Sequence, residues 1–201
     1  MNRPDSGPPA IFRTGAYGPN PLTPSCTIVP LVIATSTALR PQAAPFVENA
    51  RWVYGINEID STLDHYLWTA TRFADTPQGL LVNTNTPVKT IASDFPAGKN
   101  TAAELAISAD GLFLYASNRG EDSLVVFSIR AKDGKLEFVQ RISSGGKTPR
   151  HFTLDPTNEW LLCGNQDSAA ITIFRRDPIT GKLSGPTQSV PIDSPLYTLF
   201  V

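Results

Sequence analysis

The chain has 201 residues, 41% hydrophobic and 17% charged, so it can bury a core and is not disordered along its length. Its 17 basic and 18 acidic side chains leave a net charge of −1, which argues against a broadly basic face for nucleic acid and against an acidic tail. Cys26 and Cys163 are too far apart in sequence for a metal finger or a disulfide scaffold, and a reduced, cytoplasmic setting is expected.

Residues 1–45 hold half of the prolines and read as an irregular arm with one or two short strands. The apolar run from Cys26 to Leu39 is broken by Pro30 and falls short of the roughly 20 residues of a membrane span, so no membrane partner is expected. A first unit, about 46–99, opens at Trp52-Val-Tyr-Gly-Ile-Asn57. Within it Leu63-Asp-His-Tyr-Leu67 reads as a strand with His65 on the surface, followed by a polar stretch from Asp75 to Asn100. A second unit, about 100–146, reads as four strands: Leu105–Ile107, Leu112–Ala116, Leu124–Ile129 and Leu136–Ile142. The first alternates apolar and polar residues, and Asp110-Gly111 and Asp133-Gly134 supply the turns. A third unit, about 147–194, repeats these as Phe152–Leu154, Trp160–Gly164, Ile171–Phe174 and Leu183–Val190. Residues 195–201 read as a lone final strand.

The units are copies of one another. Leu114-Tyr-Ala-Ser-Asn118 and Leu161-Leu-Cys-Gly-Asn165 lie 47 positions apart, and so do Phe127 and Phe174, and Gly134-Lys-Leu136 and Gly181-Lys-Leu183. Four short strands repeating at this period specify an all-β protein, a β-propeller of four-stranded antiparallel blades. About three blades plus the terminal strand are present, a partial ring with open edges through which a homo-oligomer could form.

The residue after each repeated Asn differs: Glu58, Arg119 and Gln166. Equivalent positions in rotationally related blades face one axis, and variation at a fixed place on a fixed frame suits a functional rim; salt-bridged or solvated loop ends are the plainer alternative. Arg119 offers a planar fork for carboxylate or phosphate, and a partly desolvated Glu58 could move a proton. Arg150 and His151 open the inner strand of the last blade, with Glu104 in the slot equivalent to His151. Arg150 is the better anion holder of the two, and His151 reads more simply as a structural histidine. With two His and two Cys, no metal site or other cofactor is expected. Ser144-Gly-Gly-Lys-Thr148 fails as a phosphate loop, because its first required Gly falls on Arg141 in β surroundings.

Phe46-Val-Glu-Asn-Ala-Arg-Trp-Val-Tyr-Gly-Ile-Asn57-Glu58, Asn100-Thr-Ala-Ala-Glu104, Phe113-Leu-Tyr-Ala-Ser-Asn118-Arg119-Gly120, Gly145-Gly-Lys-Thr-Pro-Arg150-His-Phe, Asn165-Gln-Asp-Ser168 and Ser194-Pro-Leu-Tyr-Thr-Leu-Phe-Val201 together resemble the seven-bladed lactonase family. That family contains propeller-type 6-phosphogluconolactonases and carboxy-cis,cis-muconate cyclases. The resemblance covers the C-terminal blades, from about Phe46 to the end. It implies cofactor-free chemistry on a small anionic lactone or carboxylate, with Glu58 and Arg119 as catalytic residues. A second Arg of the cyclase pattern falls on Gln42, and the His of that pattern lies upstream of the matching region. The function so implied is hydrolysis of a sugar-acid lactone. The alternatives are muconate cyclisation and a truncated, non-catalytic propeller piece that acts as a binding surface.

Overall fold

The computed structural model describes residues 34–36, 50–73, 76–84 and 87–201. The proline-rich segment, apart from Ala34–Ser36, and the position of Gln42 lie outside the described residues.

Three antiparallel sheets follow one another along the chain. The first contains β1 (Ala34–Ser36), β2 (Ala50–Asn57), β3 (Thr62–Phe73) and β4 (Thr76–Asn83), with β5 (Val88–Lys89) pairing the start of β3. The second is β6 (Thr101–Ile107), β7 (Phe113–Arg119), β8 (Ser123–Ile129) and β9 (Leu136–Ser143). The third is β10 (Pro149–Leu154), β11 (Trp160–Asn165), β12 (Ala170–Arg176) and β13 (Leu183–Pro191). Strands β1–β4, β6–β9 and β10–β13 each pair in sequence order, the meander of a propeller blade.

The middle sheet shows why the apolar runs are continuous rather than alternating. Tyr54, Ile56 and Leu63 of the first sheet pack on Leu105, Leu114, Ala116, Val125, Phe127 and Ile129. The opposite face of the second sheet, Phe113, Tyr115, Leu124 and Val126, packs on Phe152, Leu161, Cys163, Phe174 and Leu183 of the third. A strand covered on both sides must be apolar at every position, and Leu124 to Phe127 are all buried. Each such side chain contributes about 1.5–3 kcal/mol by leaving water. Residues 47 apart, such as Leu105 and Phe152, Leu114 and Leu161, or Phe127 and Phe174, occupy the same place in their sheets.

Three expectations are corrected. A boundary at 45/46 separates β1 from β2, which pair with each other, so Ala34–Ser36 belongs to the first sheet. Residues 192–201 form no strand: Ser194 takes a positive φ of 42°, Pro195 lacks an N–H, and the segment leans on the third sheet near Gly164 and His151 instead. His65 is buried at 2% exposure, stacked on Tyr54 at 5.2 Å between ring centres. It shares the inward face of β3 with Leu63, two residues away.

Candidate functional site

One turn recurs in all three sheets and carries the variable residue. Ser61, Asp122 and Ala169, spaced as the repeats are, adopt φ of 51°, 53° and 49°. The asparagine before each turn, half-buried at Asn57 and buried at Asn118 and Asn165, braces it. Asn57 Nδ2 donates to Thr62 Oγ1 at 2.9 Å, Asn118 Nδ2 to Ser123 Oγ at 3.1 Å, and Asn165 Nδ2 to Thr172 Oγ1 at 2.9 Å. Glu58, Arg119 and Gln166 are therefore held at the same end of their sheets by the same local chemistry.

The inner strands β6 and β10 begin at that end, and both are bulged there, between Ala102 and Leu105 and between Pro149 and His151. A bulge re-aims side chains, and Glu104, Arg150 and His151 lie in or beside the two bulges. The Glu104 N–H is satisfied by Ser117 Oγ at 3.0 Å across the irregularity.

Three pairs result. Arg119 and Glu58, 61 positions apart, form a direct ion pair with both side chains mostly shielded. Arg119 Nη2 also donates to the Ala102 carbonyl at 3.1 Å, and the Ala102 N–H donates to the Glu58 carbonyl at 2.8 Å. Glu104 Oε2 lies 3.2 Å from His151 Nε2, with side-chain exposures of 17% and 10%. Arg150 Nη1 donates to Gln166 Oε1 at 3.2 Å in the open. All six residues singled out in the sequence thus stand in pairs at one end of the sheets, and Ala102 links the first pair to the strand that bears Glu104.

The electrostatics of the second pair are unusual. Burial raises the Glu104 carboxyl to about 7, against a smaller downward pull from the Leu105 N–H. Burial lowers the His151 imidazole to about 4. The contact is close enough for an ion pair, yet burial disfavours the charged form of both partners, so near neutral pH a neutral ring faces a carboxyl poised between its two forms. The sequence reading did not include Tyr197, whose ring sits 4.0 Å from that of His151, or Thr198, whose N–H meets His151 Nδ1 at 3.2 Å. No periodic signal points to them, because the contact is made by an irregular segment.

A cavity of about 200 Å³, lined in part by Ile59, Asp60, Ser61, Lys89, Gly98 and Asn100, borders the turn after Glu58, and none of the six candidate residues lines it. Among the described residues no group of His, Cys, Asp and Glu is arranged to hold a metal, and no helix is long and apolar enough to cross a membrane.

Residues 33–200 match the family described as Lactonase, 7-bladed beta-propeller. The chain belongs to that family. It is 34% identical over 168 residues to a 6-phosphogluconolactonase of Formosa agariphila, covering 80% of this chain and 44% of that protein. It is 35% identical over 114 residues to a 6-phosphogluconolactonase of Bacillus subtilis, covering 57% of this chain and 32% of that one. Among solved structures it is similar to the periplasmic gluconolactonase of Pseudomonas aeruginosa, with a TM-score of 0.60 and 32% identity over 72% of this chain and 38% of that one. The chain spans less than half the length of these relatives.

Proposed function

We propose that the paired residues at the bulged end of the sheets open the ring of a sugar-acid lactone by hydrolysis, with a substrate of the 6-phosphogluconolactone kind. The observation that carries this reading is the convergence of Glu58–Arg119 and Glu104–His151 on the first residues of β6. Two carboxylates, a shielded guanidinium and a neutral imidazole there supply a proton acceptor and a cation for an oxyanion. Arg150 is exposed and among the described residues its side chain bonds only to an uncharged amide, so its charge is available to an anionic substrate, and a guanidinium binds carboxylate or phosphate in two parallel bonds. The names of the two curated relatives point to the same substrate class. A cytoplasmic setting belongs to the proposal, resting on the free, buried thiol of Cys163; the Pseudomonas relative is described as periplasmic.

The test is the rate of lactone hydrolysis by the purified chain, beside Arg119→Ala and Arg150→Ala. Arg119→Ala is expected to lower kcat/KM by about 10²-fold, the scale of losing one oxyanion donor. Arg150→Ala is expected to raise KM for a phosphorylated lactone more than for an uncharged one. Hydrolysis by the unsubstituted chain at the rate of buffer alone would overturn the reading and leave a non-catalytic propeller piece.

A further inference from the structure

The two carboxylates of the site have opposite surroundings. Glu58 is engaged by the Arg119 guanidinium, so its charge is already neutralised. Among the described residues no lysine or arginine pairs with Glu104. Its Oε1 accepts from the Leu105 N–H at 3.0 Å, and its Oε2 faces His151 Nε2. The imidazole's form is decided from its far side. Nδ1 meets both the Thr198 backbone N–H and the Thr198 hydroxyl at 3.2 Å; the amide can only donate and the hydroxyl can donate as well, so the pair suits an unprotonated Nδ1. Nε2 then carries the proton and presents it to Glu104. Tyr197 packs on the ring and helps to fix its plane.

We propose that Glu104 is the carboxylate that transfers the proton in this site, and that His151 and the Thr198 backbone are the groups that position it. This rests on the lactone-opening reading and divides its labour: Glu58 orients Arg119, and Glu104 does the acid–base work. As a water oxygen bonds to the ring carbonyl carbon, Glu104 takes one proton from that water. The carbonyl oxygen holds the resulting negative charge. When the carbonyl re-forms and the bond to the ring oxygen breaks, Glu104 returns the proton to that oxygen. One water is consumed and an open hydroxy acid is released, with Glu104 restored. A carboxyl raised to about 7 by burial both accepts and returns a proton near neutral pH. The titratable group that faces it is His151 from β10, with Tyr197 of the tail on the ring of His151; the Arg119–Glu58 pair meets the same strand at Ala102, two residues before it.

The experiment uses the full chain and measures lactone hydrolysis against pH, with nitrogen NMR of the histidines alongside. In the unsubstituted protein kcat should rise with pH through a midpoint near 7. Glu104→Gln should lower kcat by about 10³-fold, within the range of general acid–base effects, with KM little changed and the rising limb gone. His151→Gln should lower kcat about tenfold and move the limb, whereas Glu58→Gln, which loosens Arg119, should lower kcat less than Glu104→Gln does and leave the limb in place. If Glu104→Gln fails to fold by circular dichroism, Glu104→Asp replaces it and should lower kcat with the limb retained. The NMR arm expects His151 Nδ1 unprotonated at neutral pH; a protonated Nδ1 there overturns the positioning role. Near-normal kcat in Glu104→Gln, with Glu58→Gln inactive, overturns this assignment and leaves the lactone reading standing. Background rates for the unsubstituted chain overturn the lactone reading itself.

Discussion

The interface between the first and second sheets and that between the second and third share one plan and differ in their polar filling. In the first, Trp52 lies over Gly134 and the Tyr54 hydroxyl donates to the Gly134 carbonyl at 2.6 Å. In the second, Phe113 lies over Gly181 and the Tyr115 hydroxyl donates to the Gly181 carbonyl at 2.8 Å. The difference lies beside the tyrosine. Ile129 occupies the position of the second sheet to which Arg176 corresponds in the third, and His65 stacks on Tyr54. Arg176, 2% exposed, instead bonds the Tyr115 hydroxyl at 2.7 Å, the Asp110 carboxylate at 2.8 Å and the Asn158 carbonyl at 2.9 Å. An aromatic ring on a glycine turn is what the geometry of neighbouring blades demands. What surrounds the tyrosine is a local choice, subject only to the rule that buried polar groups find partners.

The strongest way to break this comparison is through the glycines. An alanine Cβ at Gly181 would sit 2.2 Å from Phe113 Cδ1, and one at Gly134 would sit 2.5 Å from Trp52 Cδ2, both at φ near 70°. A left-handed alanine costs about 1–2 kcal/mol and overpacking about 1–3 more. Gly181→Ala and Gly134→Ala should therefore each lose about 2–5 kcal/mol in denaturant unfolding. A loss below 1 kcal/mol at either turn would show that the plan is not shared.

The tyrosines sharpen the difference. Tyr54→Phe strands one carbonyl and should cost about 1 kcal/mol. Tyr115→Phe strands a carbonyl and one donor of a buried guanidinium and should cost about 2–3 kcal/mol. Equal losses, read by the same unfolding assay, would mean that Arg176 adds nothing to its interface.

Acid gives the smallest effect. Burial holds the His65 imidazole below its usual 6.5, with Lys135 adding to this and Asp133 opposing it. The unfolded chain binds that proton first, so stability falls as pH drops through 6.5, and His65→Phe should flatten this part of the curve. For Asp110, burial pushes upward, but hydrogen bonds from Ser108, the Leu112 N–H and Arg176 together bring it below 3.8. Its contribution is present above 3.8 and is lost as pH falls through the lower, folded value, so Asp110→Asn should flatten only that acid end. Between about 4.5 and 6.5 Glu104 and His151 act with opposite signs, the raised carboxyl favouring the folded state at the acid side and the lowered imidazole opposing it there. Thermal unfolding across this range in the two variants separates the interfaces.

Much of the fold was legible because it is local. Runs such as Leu124–Ile129 have the composition of a strand, and Gly134 and Gly181 mark turns that need positive φ. The surface expectation for His65 failed although the signal was there: it has the parity of Leu63, and alternation puts both inside. The tail was not legible, because Leu196–Val201 has strand composition but no partner strand among the described residues, and pairing is decided by what lies alongside. Of the site, the positions after Asn57, Asn118 and Asn165 could be found from the repeat; the contacts of Tyr197 and Thr198 with His151 could not.

By itself the sequence determined the β class, the repeat of 47 residues, and the turns that hold one variable residue at the same end of each sheet. These depend on side-chain periodicity and backbone freedom, which neighbours in sequence settle among themselves. Only the tertiary structure decided that Glu58 meets Arg119 while Glu104 meets His151, because residues on different sheets come together through the fanning of whole blades. It also decided that the two carboxylates differ in character, since desolvation is set by every atom packed around a group and by none of its neighbours in sequence alone.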